Sequence, residues 1–263
     1  RQMCIRDRID ADFSRVQFTP DLMPSDVLGT TVFNMKTNGF DFHQGPIFAD
    51  IVLVDEINRA PAKTQAALFE VMEERQISID GTTHRMGDLY TILATQNPVE
   101  QEGTYKLPEA QLDRFLMKIT MDYPSLEEEV NILERHHTNA ALVKLDDITP
   151  AITKEELLSL RAFMNQVFVD RTLLQYIALI VQQTRTSKAV YLGASPRASV
   201  AMLQSSKAYA LLQGRDFVTP EDIKFVAPYV LQHRLILTAE AEMEGYSPVK
   251  VTQRLIDKVE VPK

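Results

Sequence analysis

Residues 51–56 read Ile-Val-Leu-Val-Asp-Glu, and this stretch decides the fold class. Four consecutive apolar residues are typical of a short strand that is covered on both faces, as the strands of a parallel sheet are. The run ends abruptly in two acids, Asp55 and Glu56. Because the ligands of open α/β sheets collect at the carboxyl ends of the strands, these carboxylates are the first candidates for a reaction centre.

Segments on both sides of this strand complete an α/β layer. Alternation at residues 13–18 predicts a half-buried strand, and the apolar run at residues 90–95 predicts another buried strand. Residues 116–121 are predicted to form a last strand. Residues 61–74 carry apolar side chains at helical spacing, so we expect an amphipathic helix that packs on the sheet.

Tight-turn signals add two β-hairpins to this layer, one around Asn38-Gly39 within residues 32–48 and one around Asp80-Gly81 within residues 76–86. Beyond residue 123 the pattern is helical only. The predicted helices cover residues 125–138, 155–169, 171–186, 195–213 and 219–231.

The sequence therefore predicts an α/β domain followed by a helical domain. Residues 1–8 do not lead naturally into the rest, and we interpret them as a truncation or assembly scar. The expected segments are an atypical start (1–8), an α/β core with two hairpin inserts (9–138), a linker (139–153), a helical domain (154–237) and a tail (238–263).

Composition narrows the classes of function. The chain has 28 Lys and Arg against 36 Asp and Glu, and a net charge of −8 disfavours nucleic acid as the main partner. Its single cysteine, Cys4, suits a reducing compartment, so we expect a cytoplasmic protein. No apolar run approaches the roughly 20 residues of a membrane-spanning helix.

Polar residues at two strand ends have complementary chemistry. Asp55 would hold a magnesium ion through the ion's waters, and Glu56 would polarise an attacking water. Asn97 follows the strand at residues 90–95, and its amide suits the positioning of the same water. Taken singly, the acids could be solvated residues at a strand exit, and Asn97-Pro98 could be an ordinary turn.

Two arginines stand where they could meet an anion. Arg114 directly precedes the predicted last strand, and Asp113 could orient its guanidinium for delivery to a neighbour's nucleotide. Arg197 follows Ser195-Pro196, so it projects from the first turn of a helix, a position that favours anions. The alternatives are an Asp113–Arg114 salt bridge and an ordinary exposed arginine.

Several motifs, in order, carry a family resemblance. GPIFADIVLVDEINRAP (residues 45–61) resembles the Walker B segment of MoxR-type AAA+ ATPases. ATQNP (94–98), EGTY (102–105) and LPEAQLDRF (107–115) resemble that family's sensor-1 and arginine-finger region. GASPRA (193–198) resembles its sensor-2 helix, and QFTPDLMPSD (17–26) its second strand and following loop. The resemblance covers about residues 13–237.

The resemblance implies an AAA+ P-loop NTPase core followed by a helical lid. It assigns Asp55 and Glu56 to Walker B, Asn97 to sensor 1, Arg114 to the finger that reaches a neighbouring subunit, and Arg197 to sensor 2. It implies ATP and Mg²⁺ as cofactors and a homo-oligomeric ring, commonly a hexamer. Such rings couple ATP hydrolysis to the remodelling or maturation of partners, often proteins with a von Willebrand factor A domain.

One expected motif is missing. No G-x-x-x-x-G-K-[ST] occurs in the sequence, although the family carries this P-loop upstream of the position of Phe13. We therefore expect a truncated core without its first, central strand, with two unpaired strand edges and an apolar gap. The fragment alone is expected to lack ATPase activity and to aggregate or require another chain.

Three other interpretations remain open at this stage. A metal-chelatase motor subunit shares the inserted-helix architecture and uses the same arrangement of site residues. A non-catalytic protein-binding subunit would account for the missing P-loop, but Glu56, Asn97, Arg114 and Arg197 are all present. A DNA-remodelling motor is disfavoured by the acidic balance.

Overall fold

The computed structural model describes residues 8–97, 105, 107–138 and 149–261. The expectations for residues 1–7, for motif residues 98–104 and for linker residues 139–148 lie outside the described residues. The strands are β1 (Ile9–Asp10), β2 (Phe13–Gln17), β3 (Gly29–Asn34), β4 (Gly39–Gln44), β5 (Ile51–Asp55), β6 (Gln76–Ile79), β7 (Thr82–Arg85), β8 (Thr91–Ala94), β9 (Ile152–Thr153), β10 (Val190–Leu192) and β11 (Ile236–Leu237).

Helices follow the strands of the core and make up most of the second half of the chain. They are α1 (Pro24–Leu28), α2 (Ala62–Glu74), α3 (Glu109–Leu112), α4 (Leu126–His137), α5 (Lys154–Met164), α6 (Arg171–Thr186), α7 (Pro196–Leu212), α8 (Pro220–Leu231), α9 (Ala239–Met243) and α10 (Pro248–Lys258). None of the described helices is long and apolar enough to cross a membrane.

The central sheet is parallel, with the strand order β2-β5-β8. All five residues of β5 are buried, which confirms the interpretation of the apolar run as a strand covered on both faces. Helix α2 packs on this sheet through Leu68 and Phe69, which share one apolar cluster with Val52 and Val54. The helix predicted for residues 61–74 is thereby confirmed.

Both predicted hairpins are present. β3 pairs with β4, and β6 pairs with β7, each in antiparallel register. Asp80 and Gly81 have positive φ angles of 49° and 80°, the backbone that a two-residue hairpin turn requires at both central positions. Asn38 also has a positive φ, 51°, and asparagine tolerates that region better than most side chains.

The strand predicted for residues 116–121 is wrong. No β-strand is assigned between Leu116 and Met121, and none of the described strands pairs with this segment. Its backbone bonds to the helical domain instead, where the Lys118 nitrogen donates to the Tyr229 carbonyl at 2.9 Å. A strand needs a neighbouring edge, and in the described residues β8 pairs only with β5.

The helical domain has its own apolar core. Ile180 of α6, Met202 of α7 and Val230 of α8 are buried in one cluster. The segment expected to be a tail contains two helices, α9 and α10. Leu255 and Ile256 of α10 are buried in the same cluster, so this helix packs against the helical domain, beyond the expected boundary at residue 237.

Candidate functional site

Asp55 stands at the end of β5 with both carboxylate oxygens engaged. Its Oδ2 accepts from Arg15 Nε at 2.6 Å, and its Oδ1 accepts from Thr95 Oγ1 at 3.2 Å. Arg15 lies opposite Leu53 in the parallel register, so its side chain is on the same face as Asp55, two residues further on. The acid is therefore buried, oriented and already beside one positive charge.

Glu56 has an uncommon backbone conformation, left-handed with φ 54° and ψ 50°. Its nitrogen donates to Thr95 Oγ1 at 2.9 Å, and its Oε2 pairs with Arg59 Nε at 2.6 Å. A non-glycine residue in this region carries strain and persists only where its surroundings fix it, which is frequent at functional sites. The chain therefore bends at Glu56, directly after β5.

Asn97 belongs to the same edge of the sheet. The Thr95 carbonyl accepts from the Ile57 nitrogen at 3.0 Å, and the Asn97 carbonyl accepts from Asn58 Nδ2 at 3.3 Å. These two bonds tie the segment after β8 to the segment after β5. Asp55, Glu56 and Asn97 are therefore brought together, as the parallel order of the strands requires.

Arg114 and Arg197 lie elsewhere, at the far end of α2. Arg114 donates from Nη1 to the Phe69 carbonyl and from Nη2 to Glu73 Oε2, each at 2.8 Å. Arg197 pairs through Nη2 with Glu73 Oε1. Both arginines thus meet one carboxylate, in the last turn of the helix.

Helix α2 connects the acids to Glu73 along the chain. The helix has 13 residues and is therefore roughly 20 Å long; it begins six positions after Glu56 and carries Glu73 in its last turn. Within one chain, Arg197 contacts Glu73 in the last turn of this helix, and its convergence with Glu56 and Asn97 stays a prediction. Helix α2 packs on the sheet, and Arg197, which the lid carries, pairs with Glu73 near the C-terminal end of α2.

Asp113 fixes the lid against this end of the core. Its Oδ2 accepts from Ser195 Oγ at 2.8 Å, and its Oδ1 accepts from Arg234 Nε at 2.8 Å. Ser195 also caps α7 by accepting from the Arg197 nitrogen. Asp113 was expected to orient Arg114 or to pair with it, and both expectations are wrong, because its two oxygens serve the lid.

Asp113, Ser195 and Arg234 form a junction between the core and the lid, the Asp113 junction. Arg234 is its buried member, with 3% of its side chain exposed. Besides Asp113 it donates to the carbonyls of Phe115, Leu116 and Val230. Burial lowers the pKa of this guanidinium from its usual value, and the bond to Asp113 opposes that shift. A cleft of about 500 Å³ opens beside it, lined by Glu73, Arg114, Pro196, Arg197 and Gln204 among others.

The residues at the sheet edge fit a magnesium ion that is shared with a nucleotide. Mg²⁺ in nucleotide sites is bound through one or two carboxylates together with waters and phosphate oxygens. Asp55 supplies such a carboxylate, and Thr95 holds it in place. When bound, the ion would neutralise phosphate charge, and Glu56, the next residue after Asp55, would supply a carboxylate suited to accept a proton from water.

Sequence reasoning missed Thr95, Arg15 and Glu73 as partners of the site. The register could have indicated Thr95, since pairing of Val54 with Ala94 places the next residues, Asp55 and Thr95, side by side. Arg15 could have been found from the alternation along β2. No local signal marks Glu73, because Arg197 is 124 positions away from it.

A parallel sheet with acids at a strand end, followed by a helical lid that carries an arginine, defines the class of AAA+ ATPases. A family model described as "ATPase family associated with various cellular activities (AAA)" matches residues 2–117. A second, described as "AAA lid domain", matches residues 182–257, which include α10. The solved structure of a protein from Cytophaga hutchinsonii assigned as an ATPase superposes with a TM-score of 0.90 at 40% identity, covering 100% of this chain and 81% of that chain.

Curated relatives define the family within this class. Chaperone MoxR1 of Mycobacterium tuberculosis is 42% identical over 97% of this chain and 69% of its own length. YeaC of Bacillus subtilis is 47% identical over 97% of this chain and 78% of its own length. The chain belongs to the MoxR family of AAA+ ATPases. The 38 kDa magnesium-chelatase subunit of Acidiphilium rubrum is a more distant relative, 24% identical over 69% of this chain and 52% of its own length.

Proposed function

We propose that this chain is the motor part of a ring-forming ATPase that couples ATP hydrolysis to the remodelling or maturation of partner proteins. The relative named as a chaperone, at 42% identity, supports this assignment over the chelatase-like alternative at 24% identity. A non-catalytic binding subunit would not need Glu56, Asn97, Arg114 and Arg197 together. We place the protein in the cytoplasm, and we expect its partners to include von Willebrand factor A domain proteins.

The separation of the acids from the arginines carries the proposal. Asp55, Glu56 and Asn97 lie in two segments that are bonded to each other after β5 and β8, whereas Arg114 and Arg197 both contact Glu73 in the last turn of α2. We propose that the two groups meet around one triphosphate between neighbouring copies in a head-to-tail ring, since such an interface joins two different faces of the same subunit.

Each group then has a defined task. Asp55 holds the magnesium ion that comes with the nucleotide, Glu56 polarises the attacking water, and Asn97 orients it. Arg114 and Arg197 of the adjacent copy neutralise the charge that develops on the γ-phosphate. Arg197 is thereby assigned to the neighbour's nucleotide, together with Arg114.

Binding of the β- and γ-phosphates depends on a further element. The 263 residues contain no G-x-x-x-x-G-K-[ST] motif, whose backbone N–H groups and lysine form the phosphate cradle. We therefore propose that hydrolysis requires this chain extended upstream through a P-loop. Without that extension, the acids alone hold Mg²⁺ and ATP weakly.

Subunit mixing of the extended protein tests the proposal. Glu56→Gln and Arg114→Ala are each expected to abolish hydrolysis in a uniform ring. An equal mixture should recover about a quarter of wild-type activity, because random assembly pairs an intact acid face with an intact arginine face at about one interface in four. A mixture of Glu56→Gln with Glu56→Ala is the control and should recover nothing. No recovery in the first mixture contradicts a site shared between copies.

A further inference from the structure

The carboxylate of Glu73 is the feature that the proposed roles of Arg114 and Arg197 leave unexplained. We infer that Glu73 is a positioning residue that occupies the two-arginine site in place of a phosphate and is displaced when a neighbour's nucleotide arrives. This inference rests on the proposed function, because it assumes that these two arginines meet a triphosphate.

The contacts of Glu73 are those of an anion held between two cations. One carboxylate oxygen of Glu73 pairs with Arg114 and the other with Arg197, so each guanidinium contacts its own oxygen of the same carboxylate. A phosphate presents similar oxygens to an arginine fork. Without an anion between them, two neighbouring positive charges repel each other, so the carboxylate also holds them together.

Exposure shows that this anion can be exchanged. The side chains of Glu73, Arg114 and Arg197 are 34%, 28% and 52% exposed, and all three line the open cleft of about 500 Å³. Ion pairs this accessible to water are weak, so an incoming polyanion with more charge competes effectively. The other carboxylate in the cleft, Asp113, is committed to Ser195 and Arg234.

The Arg114 side chain and the Arg197 backbone are each held by contacts other than Glu73. Arg114 also donates to the Phe69 carbonyl, and its buried Nε makes no hydrogen bond within the described part of the chain. The backbone of Arg197 is fixed by the Ser195 cap and by the Ser195–Asp113 bond. The Arg114 guanidinium therefore keeps its bond to Phe69 when the carboxylate leaves, Arg197 keeps its backbone position, and a phosphate can take the place of the carboxylate between them.

Inorganic tripolyphosphate binding to this chain, measured by calorimetry at low salt, tests the inference directly. Glu73→Gln should bind tripolyphosphate about threefold to tenfold more tightly than wild type, since the internal competitor is removed. Glu73→Asp keeps the charge but is one methylene shorter, and it should lie between the two. Glu74→Gln removes the same charge from the next, exposed position of α2 and should leave the affinity within about a factor of two.

The direction of the change in tripolyphosphate affinity distinguishes a positioning role of Glu73 from a merely structural one. Loss of a merely structural ion pair would not tighten binding. Unchanged or weaker binding by Glu73→Gln, or equal tightening by Glu74→Gln, overturns the inference. Arg114→Ala and Arg197→Ala should both weaken binding. If they weaken it while Glu73→Gln does nothing, the anion site of the proposed function stands and only the role of Glu73 fails. If neither arginine matters, the proposed site itself is wrong.

A second measurement covers the case in which a variant of this chain does not fold. In the protein extended through a P-loop, the ATP concentration for half-maximal ring assembly, followed by sedimentation, should fall severalfold in Glu73→Gln. The Glu74→Gln ring should assemble at the wild-type concentration. An unchanged or higher midpoint for Glu73→Gln contradicts displacement of the carboxylate by nucleotide.

Discussion

The hydroxyl of Thr95 lies 2.9 Å from the backbone nitrogen of Glu56 and accepts its hydrogen. The same oxygen donates its own hydrogen to Asp55 Oδ1 at 3.2 Å. One hydroxyl on the neighbouring strand thus fixes both acids of the candidate site. The left-handed bend at Glu56 and the orientation of Asp55 depend on this contact.

Removal of that hydroxyl is expected to destabilise the core. Thr95→Val keeps the shape but leaves the Glu56 nitrogen and one Asp55 oxygen without this partner, at a cost of about 1–3 kcal/mol in the free energy of unfolding. Thr95→Ser should keep most of the stability. Urea denaturation of both variants measures the difference, with Thr82→Val on the exposed β6–β7 hairpin as the control. Equal midpoints for Thr95→Val and wild type would show that the contact contributes nothing.

The left-handed backbone of Glu56 should make a glycine variant at this position more stable than an alanine variant. Glu56→Gly and Glu56→Ala both remove the carboxylate and its pair with Arg59, so both should abolish hydrolysis in the extended ring. Only glycine adopts φ 54° without strain, so Glu56→Gly should be more stable than Glu56→Ala by about 1 kcal/mol. Thermal and urea unfolding of this pair check the difference. An alanine variant as stable as the glycine variant argues against a strained bend.

Much of the fold follows from local patterns in the sequence. The apolar run of β5, the helical spacing of α2 and the Asp80-Gly81 turn each carry their structure in a few adjacent residues. The segment at residues 116–121 has the same kind of apolar pattern, yet it forms no strand. A strand exists only through its neighbour, and the composition of a segment does not show whether an edge is there to receive it.

Part of the candidate site could likewise be predicted from local patterns, and part could not. Parallel strands meet at one edge, so the sequence could place Asp55, Glu56 and Asn97 together. The position of Arg197 depends on how the lid docks, which is decided by Asp113, Ser195 and Arg234. Asp113 and Arg234 are 121 positions apart, and charge pairing over that separation leaves no periodic signal in the sequence.

The Asp113 junction should be important for stability. Asp113→Ala leaves the buried Arg234 guanidinium without its counter-charge and Ser195 Oγ without its acceptor. We expect a loss of about 3–5 kcal/mol in the free energy of unfolding, the range typical of breaking a buried ion pair. Asp122→Ala, at an exposed position of the same loop, should change stability by no more than about 0.5 kcal/mol. Chemical denaturation of the two variants decides it, and a similar small loss in both would mean that Asp113 does not hold the lid.

His233 should make the stability depend on pH. Burial lowers its pKa to about 4, helped by the nearby positive charge of Arg234 and against the opposing effect of the Phe115 carbonyl. Its Nε2 is 3.0 Å from that carbonyl and donates to it, so a second proton would enter at Nδ1, a buried atom without a hydrogen-bond partner in the described residues. The folded protein therefore resists protonation of this ring.

The sign of the effect follows from proton binding. Between pH 6.5 and pH 4 the unfolded chain binds a proton at His233 and the folded chain does not, so stability falls as the pH falls through this window. From pH 7.5 to pH 5 this residue should cost about 2 kcal/mol in the free energy of unfolding. His233→Gln keeps a donor for the Phe115 carbonyl but cannot titrate, so it should lose about 2 kcal/mol less than wild type over that interval. His136→Gln, on the exposed face of α4, should follow wild type, and parallel pH profiles for wild type and His233→Gln would contradict a neutral buried imidazole.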